Sequence, residues 1–176
     1  MAAQKIHTIP DPILLQKSEK IREIDDEIKK LAQNLVDTLN MASEPEGTGL
    51  AANQIGVAKR MCIVRNFFPD PANPRSTLSE DFILINPKII SESRETDVDW
   101  EGCLSVPNAY GRVERYKKIK VIAQDLAGDT LKFKATGFFA RVIQHELDHL
   151  DGILFTDRTV GKVLTEQELD KLFEAH

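Results

Sequence analysis

Two cysteines in 176 residues, Cys62 and Cys103, are too few for a disulfide framework. No stretch approaches the ~18 consecutive apolar residues of a membrane span. The first residues lack the charged-then-apolar pattern of a secretory signal. These absences set the expectation of a cytoplasmic chain whose thiols stay reduced. Basic residues form no long run and the net charge is −5, so the chain shows no direct nucleic-acid motif. The densest basic patch, Lys117, Lys118 and Lys120, reads as a solvated strand edge. Internal repeats, low-complexity tracts and sustained heptads are also missing. One domain over residues 1–176, monomeric by default, is therefore expected. What is present suits that expectation: 41% hydrophobic and 29% charged residues, in a chain long enough to bury a single core without staples.

The hydrophobic pattern predicts an α+β fold. Ile21, Ile24, Ile28, Leu31, Leu35 and Leu39 recur at three- and four-residue steps, and acidic residues lead them. This predicts a helix over about 25–41, ended by Pro45 and the glycines after it. Met61–Arg65 and Phe82–Ile85 read as strands, with Lys88–Ser91 continuing beyond Pro87. Residues 66–81, with Pro69, Pro71 and Pro74, read as a long exposed loop. Lys118–Gln124 and Thr130–Lys134 flank a turn and predict a hairpin. Helical periodicity returns over Gly137–Leu150, with one stripe of Phe139, Ile143, Leu147 and Leu150 and another of Phe138, Val142, His145 and His149. Gly152 is placed to stop this helix in a left-handed cap. Thr165 and Glu168 form a capping box for a short last helix. A strand-rich scaffold should thus enclose a central helix bearing two histidines, with an N-terminal helix and a short C-terminal helix outside.

The chemistry concentrates in three segments. His145-Glu146-Leu147-Asp148-His149 places two imidazoles ~6 Å apart along a helix, on one face. That is a ready pair of ligands for one divalent metal. Burying both rings on an apolar stripe requires polar partners, and a metal supplies them. A catalytic metal usually takes three protein ligands and keeps one position open. The remaining candidates for the third are His7, His176, Cys62, Cys103 and the carboxylates. Cys103, within Glu101-Gly102-Cys103-Leu104-Ser105, adjoins polar chemistry, whereas Cys62 lies in an apolar run and reads as core. Glu146 is a candidate to pass a proton between water and a leaving amine. Gln54, within Gly47-Thr48-Gly49-Leu50-Ala51-Ala52-Asn53-Gln54, is a candidate donor to a developing oxyanion, with the Leu104 N–H as a second donor. Gly47 and Gly49 allow close approach of a substrate backbone.

In this order and spacing the three segments resemble those of peptide deformylases, hydrolases that remove the formyl group from the N-terminal formylmethionine of nascent proteins. The resemblance covers nearly the whole chain. It implies a metal held by Cys103, His145 and His149, Fe²⁺ in the cell, with Zn²⁺, Ni²⁺ or Co²⁺ able to replace it. It implies Glu146 as general base and acid, and Gln54 with the Leu104 amide as oxyanion donors. The substrate would run as an added strand beside Gly47–Gly49 and the Cys103 segment. Its methionine would enter a pocket near Phe138, Arg141, Val142 and His145, with the Arg141 guanidinium at the rim. Implied partners are formylmethionyl peptides and nascent chains, with the ribosome nearby. Two other readings are a zinc-dependent endopeptidase, which would take its third ligand downstream of His149, and a metal-bearing peptide-binding protein without catalysis.

Overall fold

The computed structural model describes residues 3–42, 47–73 and 75–174. Helix α1 spans Asp26–Met41, and the Asp25 side chain caps it by accepting the Ile28 N–H. It ends at Met41, with the Ala42 N–H turned back onto the Thr38 and Leu39 carbonyls. Pro45, the expected terminator, lies outside the described residues. Seven strands follow: β1 Gly49–Ala51, β2 Met61–Pro69, β3 Thr77–Glu92, β4 Thr96–Cys103, β5 Val106–Tyr116, β6 Lys118–Gln124 and β7 Thr130–Thr136. Helix α2 spans Gly137–Leu150 and α3 Glu166–Glu174.

An antiparallel sheet in the order β1-β2-β3-β6-β7 forms the body, and β4 and β5 pair in a separate two-stranded sheet. Strand alternation explains how both helices pack on the body. Cys62 and Val64 of β2 face one way and join Ala140, Ile143, Leu147 and Leu150 of α2 in one buried cluster. Met61 and Ile63 face the other way and join Ile28, Leu31, Leu35 and Leu39 of α1. The sheet is thus sandwiched between α1 and α2. A third cluster, Leu14, Val106, Val113, Leu154 and Phe155, lies by the β4–β5 hairpin and includes the half-buried Cys103 at its margin.

Helix α2 stops as its glycine foretells. Gly152 has φ +74°, and the Ile153 N–H reaches the Asp148 carbonyl at 2.9 Å, closing a left-handed cap. Thr165 and Glu168 cap α3 reciprocally: the Thr165 N–H donates to Glu168 Oε2 at 2.8 Å and the Glu168 N–H to Thr165 Oγ1 at 3.4 Å.

Three expectations need correction. Residues 66–81 are not one loop: β2 runs on to Pro69 and β3 begins at Thr77, with Asn66 paired to Glu80 and Pro69 to Thr77. Pro69 is tolerated because it is the last paired residue of its strand. The turn between them closes where the Asp70 N–H meets the Ser76 carbonyl at 3.1 Å. Lys118 and Lys120 are not on an edge, since β6 lies between β3 and β7. They are the exposed half of an alternation with buried Ile119 and Val121. Finally, the β4–β5 hairpin, unforeseen as strands, supplies one side of the site.

Candidate metal centre

Strand β4 delivers Cys103 at its last position, where its register with β5 shifts after Gly102. Helix α2 delivers His145 and His149 one turn apart. The Cys103 Sγ lies 3.1 Å from His149 Nε2, which lies 3.2 Å from His145 Nε2. The three donor atoms all fall within 4.8 Å of one another. Metal–nitrogen bonds of ~2.05 Å and metal–sulfur bonds of ~2.3 Å in a tetrahedron space their donors by ~3.4 Å and ~3.6 Å. The observed spacings are slightly tighter, so a first-row divalent ion fits with a small outward adjustment.

The rings are presented correctly for this. His145 Nδ1 faces Glu101 Oε2 at 3.0 Å, a contact that fixes the ring with its Nε2 turned toward His149 Nε2. Burial opposes charge on both imidazoles. At His145, hydrogen bonds to Cys103 and Glu101 outweigh it and push the pKa well up. At His149 burial, then the charge on His145, pushes it well down. Three donor atoms this close form a set that a divalent cation can bridge. His7 does not join them: its Nδ1 pairs with Asp11 at 2.7 Å. His176 lies outside the described residues. Downstream carboxylates are engaged elsewhere, Asp151 with Arg60 and Asp157 with the Leu154 N–H. Among the described residues the candidate donor that meets the two histidines, Cys103, lies upstream, unlike the pattern expected of the endopeptidase.

Glu146 is 3% exposed, and its Oε2 has no hydrogen-bond partner among the described residues. Burial, reinforced by the charge of Glu101, pushes its carboxyl up to about 7 against the opposing pull of His145. Gly49 packs directly against it: a Cβ there would lie 2.5 Å from Glu146 Oε1. Gln54 lies on a single 3₁₀ turn, Ala52–Ile55. Its Oε1 accepts the Ala51 N–H at 2.8 Å, which turns its amide nitrogen toward Ser105 Oγ at 3.0 Å and Cys103 Sγ at 3.7 Å. Leu104 occupies the turn directly after Cys103.

The other expected residues divide. Gly47 is buried against α1, where a Cβ would lie 2.6 Å from Leu39 Cδ1, so its smallness serves packing. Phe138 is 56% exposed near the start of α2, and Val142 is buried in the cluster beneath the sheet. Arg141 does not reach a rim. Its guanidinium turns inward, to Glu101 Oε1 at 2.8 Å, the Val113 carbonyl at 2.8 Å and the Asp97 carbonyl at 3.0 Å. A carboxylate buried in the wall outcompetes solvent for it. Cys62 is fully buried, and burial, together with the charge of Glu146, pushes its thiol well up, as fits an inert core residue.

Sequence reasoning missed the clamp on His145. Glu101 takes Arg115 on both oxygens, each at 2.9 Å, and Arg115 also meets Asp148. Against the upward push of burial, the His145 hydrogen bond and then those of Arg115 hold the Glu101 carboxyl far below the usual range. Glu101 was detectable as the residue two before Cys103 on one strand. Nothing local marks Arg115.

Comparison with known proteins agrees with this geometry. The family model for polypeptide deformylase matches residues 3–164. A curated relative, peptide deformylase 2 of Gloeobacter violaceus, is 43% identical over 96% of this chain and 86% of its own length. The crystal structure of peptide deformylase from Thermotoga maritima superposes with a TM-score of 0.78 at 33% identity, covering 92% of this chain and 100% of that one. A class I type b peptide deformylase from Acinetobacter baumannii, solved with Met-Ala-Ser bound, gives 0.78 at 33% identity over 89% of this chain and 98% of its own. Matched by the family model over most of its length and by relatives more than 40% identical, the chain belongs to the peptide deformylase family, metal-dependent hydrolases that remove the N-formyl group from nascent peptides.

Proposed function

We propose that residues 1–176 act as one catalytic domain that hydrolyses the formyl amide of peptides beginning with formylmethionine, using Cys103, His145 and His149 as metal ligands. The observation that carries this reading is the meeting of one sulfur and two imidazoles beside a buried carboxylate whose Oε2 has no hydrogen-bond partner among the described residues. A divalent ion held there supplies Lewis acidity, polarising the formyl oxygen and acidifying water. Fe²⁺ is the proposed cellular ion, and a thiolate with two imidazoles also suits Zn²⁺, Ni²⁺ or Co²⁺.

The chain's own residues do the rest. Glu146 accepts a proton from water as its oxygen bonds to the formyl carbon. The Gln54 amide and the Leu104 N–H donate to the oxygen on which charge develops. Glu146 then returns the proton to the nitrogen as the C–N bond breaks, leaving formate and a free amine. Strand β1 pairs only with β2 among the described strands, so its other side is open to an added peptide strand past Gly49. Phe138, two turns before His145, offers an exposed ring to the methionine side chain, with Val142 behind it. The Acinetobacter baumannii relative was solved with Met-Ala-Ser bound, which supports a short peptide as the ligand class. Formylated nascent chains arise at the ribosome, so we assign the chain to the cytoplasm, acting there as a monomer. No helix among the described residues is long and apolar enough to cross a membrane.

The test is formate release from formyl-Met-Ala-Ser, with acetyl-Met-Ala-Ser as control and anaerobic metal analysis alongside. Release from the formyl peptide alone, lost in Glu146→Ala with metal retained, is expected. Internal peptide cleavage, or metal binding with no formate from the parent protein, would overturn the reading.

A further inference from the structure

The two halves of the metal centre sit on different sheets of the molecule. Cys103 belongs to the β4–β5 hairpin, and the histidines belong to α2, whose apolar side is committed to the five-stranded sheet. Polar contacts dominate where α2 meets the hairpin. Arg141, Gln144, His145 and Asp148 stand at i, i+3, i+4 and i+7, along one face of α2. Each of the four bonds to β4 or β5. Gln144 accepts the Tyr116 N–H and donates to the Tyr116 carbonyl, both at 3.0 Å, as a neighbouring strand would. His145 meets Glu101, and Asp148 meets Arg115.

Arg141 differs from the others in reaching both strands at once. One guanidinium nitrogen serves the Val113 carbonyl on β5 and Glu101 Oε1 on β4, and the other serves the Asp97 carbonyl on β4. Its side chain is only 7% exposed, so it offers substrate nothing. Arg115 already approaches both oxygens of Glu101. The second guanidinium therefore adds little to charge neutralisation. What it adds is a fixed distance between the hairpin and the turn of α2 that precedes His145.

We propose that Arg141 is a positioning residue, a strut that sets the separation of Cys103 from His145 and His149 and, through Glu101, the direction of the His145 ring. This rests on those three residues being the metal ligands. Lysine would replace it only in part, because a compact ammonium lacks the planar fork with which two guanidinium nitrogens reach acceptors on both strands. Outer hydrogen-bond partners of metal ligands typically govern affinity by about 10- to 100-fold.

The experiment uses the Co²⁺-loaded protein and the variants Arg141→Met and Arg141→Lys. Affinity for Co²⁺ is measured by chelator competition, followed through the thiolate-to-cobalt charge-transfer band, which reports the Cys103 bond directly. Thermal melts and steady-state kinetics on formyl-Met-Ala-Ser accompany it. Arg141→Met is expected to weaken Co²⁺ binding by about 10- to 100-fold, to shift or diminish the band, and to lower kcat with KM within about threefold. Arg141→Lys should fall between it and the parent. An unchanged band and affinity would overturn the proposal: a plain structural brace would lower Tm alone, and a contact to substrate would raise KM alone. If Arg141→Met fails to fold, Arg141→Lys decides, and parent-like affinity and spectrum in it overturn the strut. Cobalt binding needs no turnover. A parent protein that binds Co²⁺ through thiolate yet releases no formate would therefore sink the hydrolase reading and leave the strut standing.

Discussion

A methyl group added at Gly49 points straight at the proposed base. Built on the β1 backbone, the Cβ of Gly49→Ala lies 2.5 Å from Glu146 Oε1 and 2.8 Å from its Cδ. Ordinary contact begins near 3.4 Å, so the carboxylate must retreat by about 0.9 Å. The backbone has less freedom to yield, since Gly49, Leu50 and Ala51 are paired to β2 residue for residue. Overpacking of this kind costs ~1–3 kcal/mol, which lowers Tm by roughly 2–12 °C in a chain of this size and leaves it folded at 25 °C. Displacing a catalytic group by ~1 Å costs on the order of 100-fold in rate. Formate release from formyl-Met-Ala-Ser should therefore show kcat down about 100-fold, with KM little changed. The same substitution in a Glu146→Gln background should cost less than about threefold, because the group it displaces no longer acts and the two changes share one cause. A single variant with kcat near the parent value would refute the argument. So would a full 100-fold loss that persists on top of Glu146→Gln.

Gln54→Ala should reduce kcat by roughly 100- to 1,000-fold through loss of an oxyanion donor, with circular dichroism confirming an intact fold. Glu101→Gln removes the charge on which Arg115, Arg141 and His145 converge. A cost of ~3–5 kcal/mol is expected from breaking that buried set, read as a lower denaturation midpoint in urea. The Glu101 carboxyl is held low in the folded protein, so its stabilising contribution is complete above the ordinary value of 4.5 and declines as pH falls below it. An acid titration followed by circular dichroism should show that decline in the parent and a shallower one in Glu101→Gln. Prolonged dialysis against a chelator should abolish formate release, and readdition of Fe²⁺ under anaerobic conditions or of Co²⁺ should restore it, whereas Cys103→Ser should not be restored.

Legibility in the sequence followed the range of the interactions. Helix α2, its glycine stop and its histidine pair depend on contacts within one or two turns, so spacing alone disclosed them. Cys103 came forward only as one of several candidate ligands until its neighbours matched a family pattern, because it meets His149 across a sequence separation of 46. Strands β4 and β5 escaped notice since Asp97, Asp99, Glu101, Arg112, Glu114 and Arg115 break up their apolar alternation. Part of their inner face is a charge cluster, which hydrophobic periodicity does not see. The prolines at 69 and 71 suggested an early end to β2, although the first is simply its last residue. Arg141 was legible as a residue on the histidine stripe but not in its direction, since a long side chain goes where its acceptors are, and those lie on strands 28 and 44 positions away.

The unlike settings of Cys62 and Cys103 give the molecule a built-in gauge of loading. One sulfur is sealed beneath the sheet, and the other is half-buried at the proposed centre. A coloured thiol reagent added to native protein should then label a single position, and only in molecules stripped of their ion. The fraction labelled would count empty copies in any preparation, and denaturing the sample afterwards would reveal the second sulfur as an internal standard.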